Sequence, residues 1–188
     1  MNSDLAHFLA ELEPLAEETA VWGNGRFPLA ITYYLSTELP PLAYVSSVRA
    51  VVFHGEEVLA VLDPNEEYYI APGGRCQVGE TVEETLRREL LEETGWTVRE
   101  HTLLSVIHYH HLSPKPASHP YPHPDFLQLV YVAKADQFIP EAIEFDQYVV
   151  ESRFWPLTEI RPLLTNQAQT ALLDAATQHQ HNRQLRIE

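Results

Sequence analysis

Cysteine is almost missing from this chain of 188 residues: Cys76 stands alone, so no internal disulfide can form. The N-terminus is acidic and lacks a cationic leader ahead of an apolar run, so export is not expected and the cytoplasm is the expected compartment. No apolar run is long enough to span a bilayer, which argues against a membrane protein. Basic residues are scarce as well. Lys and Arg number 12 against 27 Asp and Glu, a formal net charge of −15. A long nucleic-acid polymer is therefore a poor partner, because its binding depends on counterion release by Lys and Arg. A small anionic substrate stays open, since bound cations can reverse the local sign of charge. What is present in quantity is apolar side chain: 45% hydrophobic content supports a sizeable core, and the length suits one domain.

The richest stretch runs from Gly74 to Trp96. Thr81 and Glu84 have the spacing of a capping box, in which hydroxyl and carboxylate each satisfy a backbone N–H at a helix start. Gly95 supplies a stop, and Val82, Leu86 and Leu90 recur every fourth residue as a buried stripe. Glu89, Glu92 and Glu93 fall at i, i+3 and i+4, so their carboxylates share one surface within about a turn. Like charges so close repel unless something positive neutralises them. A hard divalent cation with oxygen ligands does this, Mg²⁺ typically joining a few carboxylates to substrate phosphates. The plainer alternative is a solvated acidic face with Arg88 paired to Glu84 and Glu92.

The full spacing is Gly74, five residues, Glu80, seven residues, Arg88-Glu89, Leu90, one residue, Glu92-Glu93, one residue, Gly95 and Trp96. It resembles the Nudix box at every fixed position, and Thr85 and Leu86 suit the small and apolar sites before the Arg-Glu pair. Trp96 departs from the usual Ile, Leu or Val, a matter of packing rather than chemistry. The resemblance implies an α/β fold, an α/β/α sandwich around a mixed β-sheet, over about residues 45–175. It implies hydrolysis of a nucleoside diphosphate linked to another moiety, with Mg²⁺ as cofactor and Mn²⁺ as a substitute. The metal ligands carried over are Glu89, Glu92, Glu93 and the backbone carbonyl of Gly73. Glu89, Arg88 and Glu80 form the catalytic group, Glu89 as candidate general base and the Arg88–Glu80 pair orienting it. The family often adds one more carboxylate from a distant loop, for which Glu144, Asp146 and Glu151 are candidates.

Elsewhere, Leu5, Phe8, Leu9, Leu12 and Leu15 predict an amphipathic helix over residues 3–20, kinked or restarted at Pro14. Alternation predicts a strand over Leu29–Leu35, a hairpin from Tyr44–Phe53 and Val58–Leu62 around His54-Gly55-Glu56-Glu57, and strands at Thr102–His111 and Phe126–Lys134. The proline-rich connection over residues 113–124 is long enough to suggest function. Phe154-Trp155-Pro156-Leu157 resembles the last strand and following turn of Nudix domains, Thr165 suggests a cap for a final helix, and the tail from Gln178 is expected to fray. Residues 1–40 are expected to pack, as helix and strand, on a domain formed by 41–188. A homodimer contact is the sharper use for the first helix.

His108, His110 and His111 lie on one predicted strand, with His119 and His123 in the connection after it. They lack a diagnostic metal spacing, and surface roles or phosphate and base contacts are the favoured readings. Tyr109, Tyr121 and Phe126 are candidates to stack on a base or to fill the core. Cys76 has no partner base for nucleophilic work. The expected substrate is a small-molecule nucleotide, with nucleoside triphosphates, including oxidised ones such as 8-oxo-dGTP, favoured over ADP-ribose and nucleotide sugars. A nucleotide-sensing module and an isopentenyl diphosphate isomerase are the competing classes. The first normally carries a DNA-binding domain, and the second a catalytic cysteine for which Cys76 is badly placed.

Overall fold

Alternating apolar residues in this chain build one mixed sheet whose two faces are covered by different helices. The computed structural model describes residues 3–23, 25–115, 122–144 and 149–184. Within these, the order is α1 (Ser3–Ala10), β1 (Pro14–Trp22), β2 (Phe27–Leu35), β3 (Val45–His54), β4 (Glu57–Leu62), β5 (Tyr68–Tyr69), β6 (Gly73–Arg75), α2 (Val82–Thr94), β7 (Trp96–His111), β8 (Asp125–Phe138), β9 (Glu151–Pro156), α3 (Leu157–Ile160) and α4 (Gln167–Gln184). The strands run β1-β2-β7-β8-β3-β4-β5, with β6 added to β3 and β9 to β4. β3 and β8 are parallel, from Val45 opposite Leu127 to Phe53 opposite Lys134, while the other pairings are antiparallel.

Each face has its own core. On one, Leu29, Ile31, Tyr109, Phe126 and Val130 pack with Ala168, Leu172, Leu173 and Ala176 of α4. On the other, Val48, Val106, Leu127 and Leu129 pack with Leu5 and Leu9 of α1 and with Leu86 and Leu90 of α2. The Val82–Leu86–Leu90 stripe is thus the inward face of α2. Leu86 and Leu90 are fully buried, and each such side chain contributes about 1.5–3 kcal/mol. The result is the expected α/β sandwich. No helix among the described residues is long and apolar enough to cross a membrane.

The helix expected over residues 3–20 stops at Ala10, and Pro14 opens strand β1 instead. The physical reason is twofold: Pro14 cannot continue the helical hydrogen bonding, and β1 completes a hairpin with β2, pairing Glu17 with Thr32 through to Trp22 with Phe27. The Gly55–Glu56 turn does join β3 to β4, through Phe53 opposite Val58 and His54 opposite Glu57. β7 begins directly after Gly95 rather than at Thr102, and β8 continues to Phe138. The last helix is capped by Asn166, whose Oδ1 accepts the Ala168 and Gln169 N–H groups, not by Thr165. It remains helical to Gln184, tied down by Gln180 Nε2 donating to the Gly55 carbonyl and Arg183 Nη1 to Thr102 Oγ1.

Candidate active site

Two short elements build the site. β6 lies antiparallel on β3, with Arg49 opposite Gly73, Val48 opposite Gly74 and Ser47 opposite Arg75. The chain then turns through residues 76–81 into α2. Thr81 caps that helix with the reciprocal Glu84 contact expected, and Gly95 ends it in the left-handed conformation at φ 72°. Caps of this kind stabilise a helix by about 1 kcal/mol. They also fix where its glutamates point.

Gly73 and Gly74 are required for separate reasons. Gly73 sits at φ 134°, and a Cβ there would come within 2.4 Å of the Val48 carbonyl oxygen. At Gly74 a Cβ would lie 2.2 Å from Glu89 Oε2. The Glu89 carboxylate therefore rests directly on the Gly74 backbone. One turn further along α2, Glu93 Oε2 accepts the Gly73 N–H at 2.7 Å.

Arg88 is the hub of the remaining charge. Its Nε and Nη2 donate to Glu80 Oε1 and Oε2 at 2.6 and 2.9 Å, a two-pronged pair. Nη1 donates to Glu89 Oε1 at 2.7 Å and to Glu92 Oε2 at 3.0 Å, and Nη2 also reaches the Arg75 carbonyl. Glu80 further accepts from the Gln77 N–H and from Thr85 Oγ1. These contacts, that with Arg88 foremost, hold the Glu80 carboxyl down at about 2, and the same pairing raises the Arg88 guanidinium above its ordinary value. The expected alternative pairing of Arg88 with Glu84 is not made; Glu84 is occupied at Thr81.

A hard divalent cation suits these donors in kind. The carboxylates of Glu89 and Glu93 meet the Gly73–Gly74 backbone, Glu89 taking the space that a Cβ on Gly74 would fill, and Arg88 places positive charge between Glu89 and Glu92. Glu89, Glu92 and Glu93 are shared here between Arg88 and the Gly73 amide rather than drawn onto one point.

Beside the box lies a cavity of about 420 Å³ lined by Trp22, Phe27, Ser47, Arg49, Gly74, Arg75, His111, Phe126 and Gln128, among others. One wall is aromatic: Trp22 lies 6.1 Å from Phe126, which stacks on Tyr109 at 4.7 Å with the rings 7° apart. Polar groups occupy the other end. Gln128 is fixed in orientation, accepting from the Tyr109 hydroxyl and donating to Ser47 Oγ, and Arg49 Nη1 donates to the Ala71 carbonyl. An aromatic wall joined to arginines and a glutamate-rich turn can take a flat ring at one end and an anion at the other.

Of the other candidates, Glu144 is tied to the box, its N–H donating to the Glu92 carbonyl at 2.8 Å. Glu151 lies on β9 and pairs with Arg153; Asp146 lies outside the described residues, as do His119 and Tyr121. Tyr109 is buried behind Phe126, which itself faces the cavity. His111 lines the cavity and stacks on His123, whereas His108 and His110 both meet Asp125. Burial pushes the Asp125 carboxyl up, but its contacts with His110 and His108 outweigh this and leave it lowered. Cys76 is half-buried, its thiol pushed up by burial, and packs against the core under α2. Trp96 fills a nest of His54, Phe138 and Phe154 rings, in keeping with a packing role. Trp22, Phe27, Arg49, Ser47 and Gln128 were not singled out from the sequence. The Gly23-Asn24-Gly25 run between Trp22 and Phe27 is a turn signal that points to the hairpin.

Comparison with known proteins bears on the family and the fold. The NUDIX domain family model matches residues 43–175. YjhB of Bacillus subtilis (strain 168), whose name assigns it ADP-ribose pyrophosphatase activity provisionally, is 33% identical over 73 residues. That match covers 38% of this chain and 35% of YjhB, so it spans about a third of that relative's length. Among solved structures, a NUDIX hydrolase from Nitrosomonas europaea aligns with a TM-score of 0.53 at 21% identity, over 70% of this chain and 87% of the other. A mutant of the Bacillus subtilis pyrophosphohydrolase BsRppH aligns at 0.51 and 19% identity, over 73% and 77%. At these identities the likeness bears on the fold.

Proposed function

The chain belongs to the NUDIX family, and from that premise we propose that it hydrolyses the diphosphate linkage of a nucleoside diphosphate derivative. The observation that carries this reading is the junction at Gly74–Arg75, where the aromatic cavity meets the Glu89–Arg88–Glu80 cluster. A base fits against Trp22 and Phe126, which puts the phosphates toward Arg49, Arg75 and Glu89. Attack on phosphorus already ringed by negative oxygens asks mainly for positioning and neutralisation of charge. A divalent cation, Mg²⁺ by ligand type with Mn²⁺ as substitute, would be held by Glu89, Glu92, Glu93 and the Gly73 carbonyl, and would supply that neutralisation.

The chain's own residues have distinct parts. Arg88 occupies Glu89 Oε1, leaving Oε2, seated over Gly74, to accept the proton of the attacking water. The new bond forms between that water oxygen and phosphorus, the bridging P–O bond breaks, and the phosphate leaving group takes the electron pair. Glu80 and Arg88 hold the orientation of Glu89, the Gly73 N–H holds Glu93, and Glu144 is the favoured extra carboxylate because its backbone is tied to Glu92.

Nucleoside triphosphates, oxidised ones included, are the first substrate class of this proposal; ADP-ribose, which the YjhB match favours, and nucleotide sugars are the second. A panel of such compounds with Mg²⁺ and Mn²⁺ separates them, because a triphosphate yields a monophosphate and pyrophosphate, whereas ADP-ribose yields AMP and ribose 5-phosphate. Glu93→Gln should lower turnover by orders of magnitude with the fold intact. Nucleotide binding without product release in the wild type would instead support a sensing module.

A further inference from the structure

We propose that His108, His110 and Asp125 form a second cation site, selective for a borderline transition metal such as Zn²⁺ and separate from the box. Its geometry is set by the sheet. His110 and Asp125 are directly opposite across β7 and β8, and His108 lies two residues back on the same face of β7, opposite Leu127. His108 Nε2 and His110 Nδ1 approach the same oxygen, Asp125 Oδ1, at 2.9 and 2.8 Å. Among the described residues this is the set of three such donors whose ligand atoms all lie within 4.8 Å of one another.

Two imidazole nitrogens and one carboxylate oxygen favour Zn²⁺ and its neighbours over Mg²⁺, which prefers oxygen and keeps its waters. Zinc bonds of about 2.0–2.1 Å in a tetrahedron put ligand atoms roughly 3.3 Å apart. The two His–Asp125 contacts need to open by about half an ångström, and the two imidazole nitrogens, within 4.8 Å of each other, need to settle at that same spacing, a change made by side-chain rotation on the paired strands. Access is graded: the Asp125 side chain is 3% exposed, His108 12% and His110 42%, so an ion would enter past His110.

The site is independent of the nucleotide cavity. Leu127, opposite His108, belongs to the core beneath α1 and α2, whereas His111 and Phe126 line the cavity on the other face. The three ligands instead stand where β7 ends and β8 begins. A bound ion would therefore staple the end of β7 to the start of β8.

The test uses the full chain in a large excess of Mg²⁺, which occupies oxygen-only sites. Titrated Zn²⁺, followed by calorimetry, should still bind at one equivalent in the wild type and in Glu93→Gln. Affinity should fall at least about tenfold in His110→Ala, a change at a half-exposed side chain. Side-chain NMR of the wild type gives a second readout that no substitution can confound: the His108 and His110 ring signals should shift on adding Zn²⁺ while His54 does not. Zinc binding that is unchanged in His110→Ala, or lost in Glu93→Gln alone, or ring signals that stay put, each overturns the proposal.

Discussion

Arg88 and Glu80 meet through two parallel hydrogen bonds, at 2.6 and 2.9 Å, and this pair clamps the loop after β6 to the helix that carries Glu89. The remaining nitrogen of the same guanidinium reaches Glu89 and Glu92. A planar fork with five donors can serve three carboxylates at once, which a lysine ammonium on a flexible stem cannot.

Arg88→Lys should therefore keep the charge and lose the geometry. Displacement of a residue that orients a working group typically costs about 10–100-fold. The loss should appear in kcat with KM little changed, since Arg88 sits behind Glu89 rather than in the cavity. Steady-state kinetics on the wild type and variant, with circular dichroism to check the fold, measure this; an equal rise in KM would place Arg88 at the substrate instead.

Glu80 makes the same clamp sensitive to acid. Its folded pKa is about 2, against about 4.3 for an unperturbed glutamate. A depressed carboxyl stabilises the fold fully above the unfolded value, and that stabilisation is lost as pH falls from about 4.3 toward 2. The stability advantage of wild type over Glu80→Gln should accordingly be largest near neutral pH and shrink through that window. Urea unfolding of both proteins at a series of pH values gives the difference directly.

Gly74 offers a sharper cut. A methyl group there meets all three terminal atoms of Glu89, at 2.2, 2.4 and 2.7 Å, so in Gly74→Ala the carboxylate must swing off the backbone. Glu89 is the far end of a flexible side chain, so the strain is relieved cheaply and stability should change by less than about 1 kcal/mol. Turnover should drop by about 10²-fold or more, because a misplacement near 1 Å can cost that much. Thermal unfolding near the wild-type value together with that loss of rate is the expected pair of results.

Local signals account for what was legible in the sequence. Thr81, Glu84 and Gly95 define α2 by hydrogen bonds within a few residues, and Leu86 and Leu90 announce its buried face, so α2 ends where the spacing placed it. Arg88, Glu89, Glu92 and Glu93 follow from the same helix register. At the N-terminus Leu5, Leu9, Leu12 and Leu15 keep helical spacing although α1 ends at Ala10 and a strand opens at Pro14. Past Pro14 the deciding term is pairing with β2, a contact with no local signature. The cavity was hidden for the same reason: Trp22, Arg49 and Gln128 come from three distant strands and are neighbours only after the sheet assembles. Asp125 likewise gave no hint of meeting His108 and His110 until β7 and β8 were in register.

Trp22 is the residue on which the proposed base pocket most depends. It lies outside the matched family segment, at the end of β1, and is 46% exposed although its ring tilts toward Tyr109 at 5.3 Å and Phe126 at 6.1 Å. A tryptophan held at a cavity mouth with an open face has apolar area to cover, which in the proposed reading a nucleobase would cover. Stacking of a base on an aromatic side chain is worth about 1–3 kcal/mol, so Trp22→Ala should raise KM by roughly five- to hundredfold. Turnover at saturation should hold, because Glu89 and its supports lie at the opposite end of the cavity. Phe27 provides the internal comparison: its ring is pinned by Gly23, where a Cβ would lie 2.5 Å away, so Gly23→Ala should displace the same wall without removing an aromatic. If KM is unmoved in both variants for nucleotides that differ in base, the aromatic wall is not where the base rests, and specificity must come from the arginine end alone.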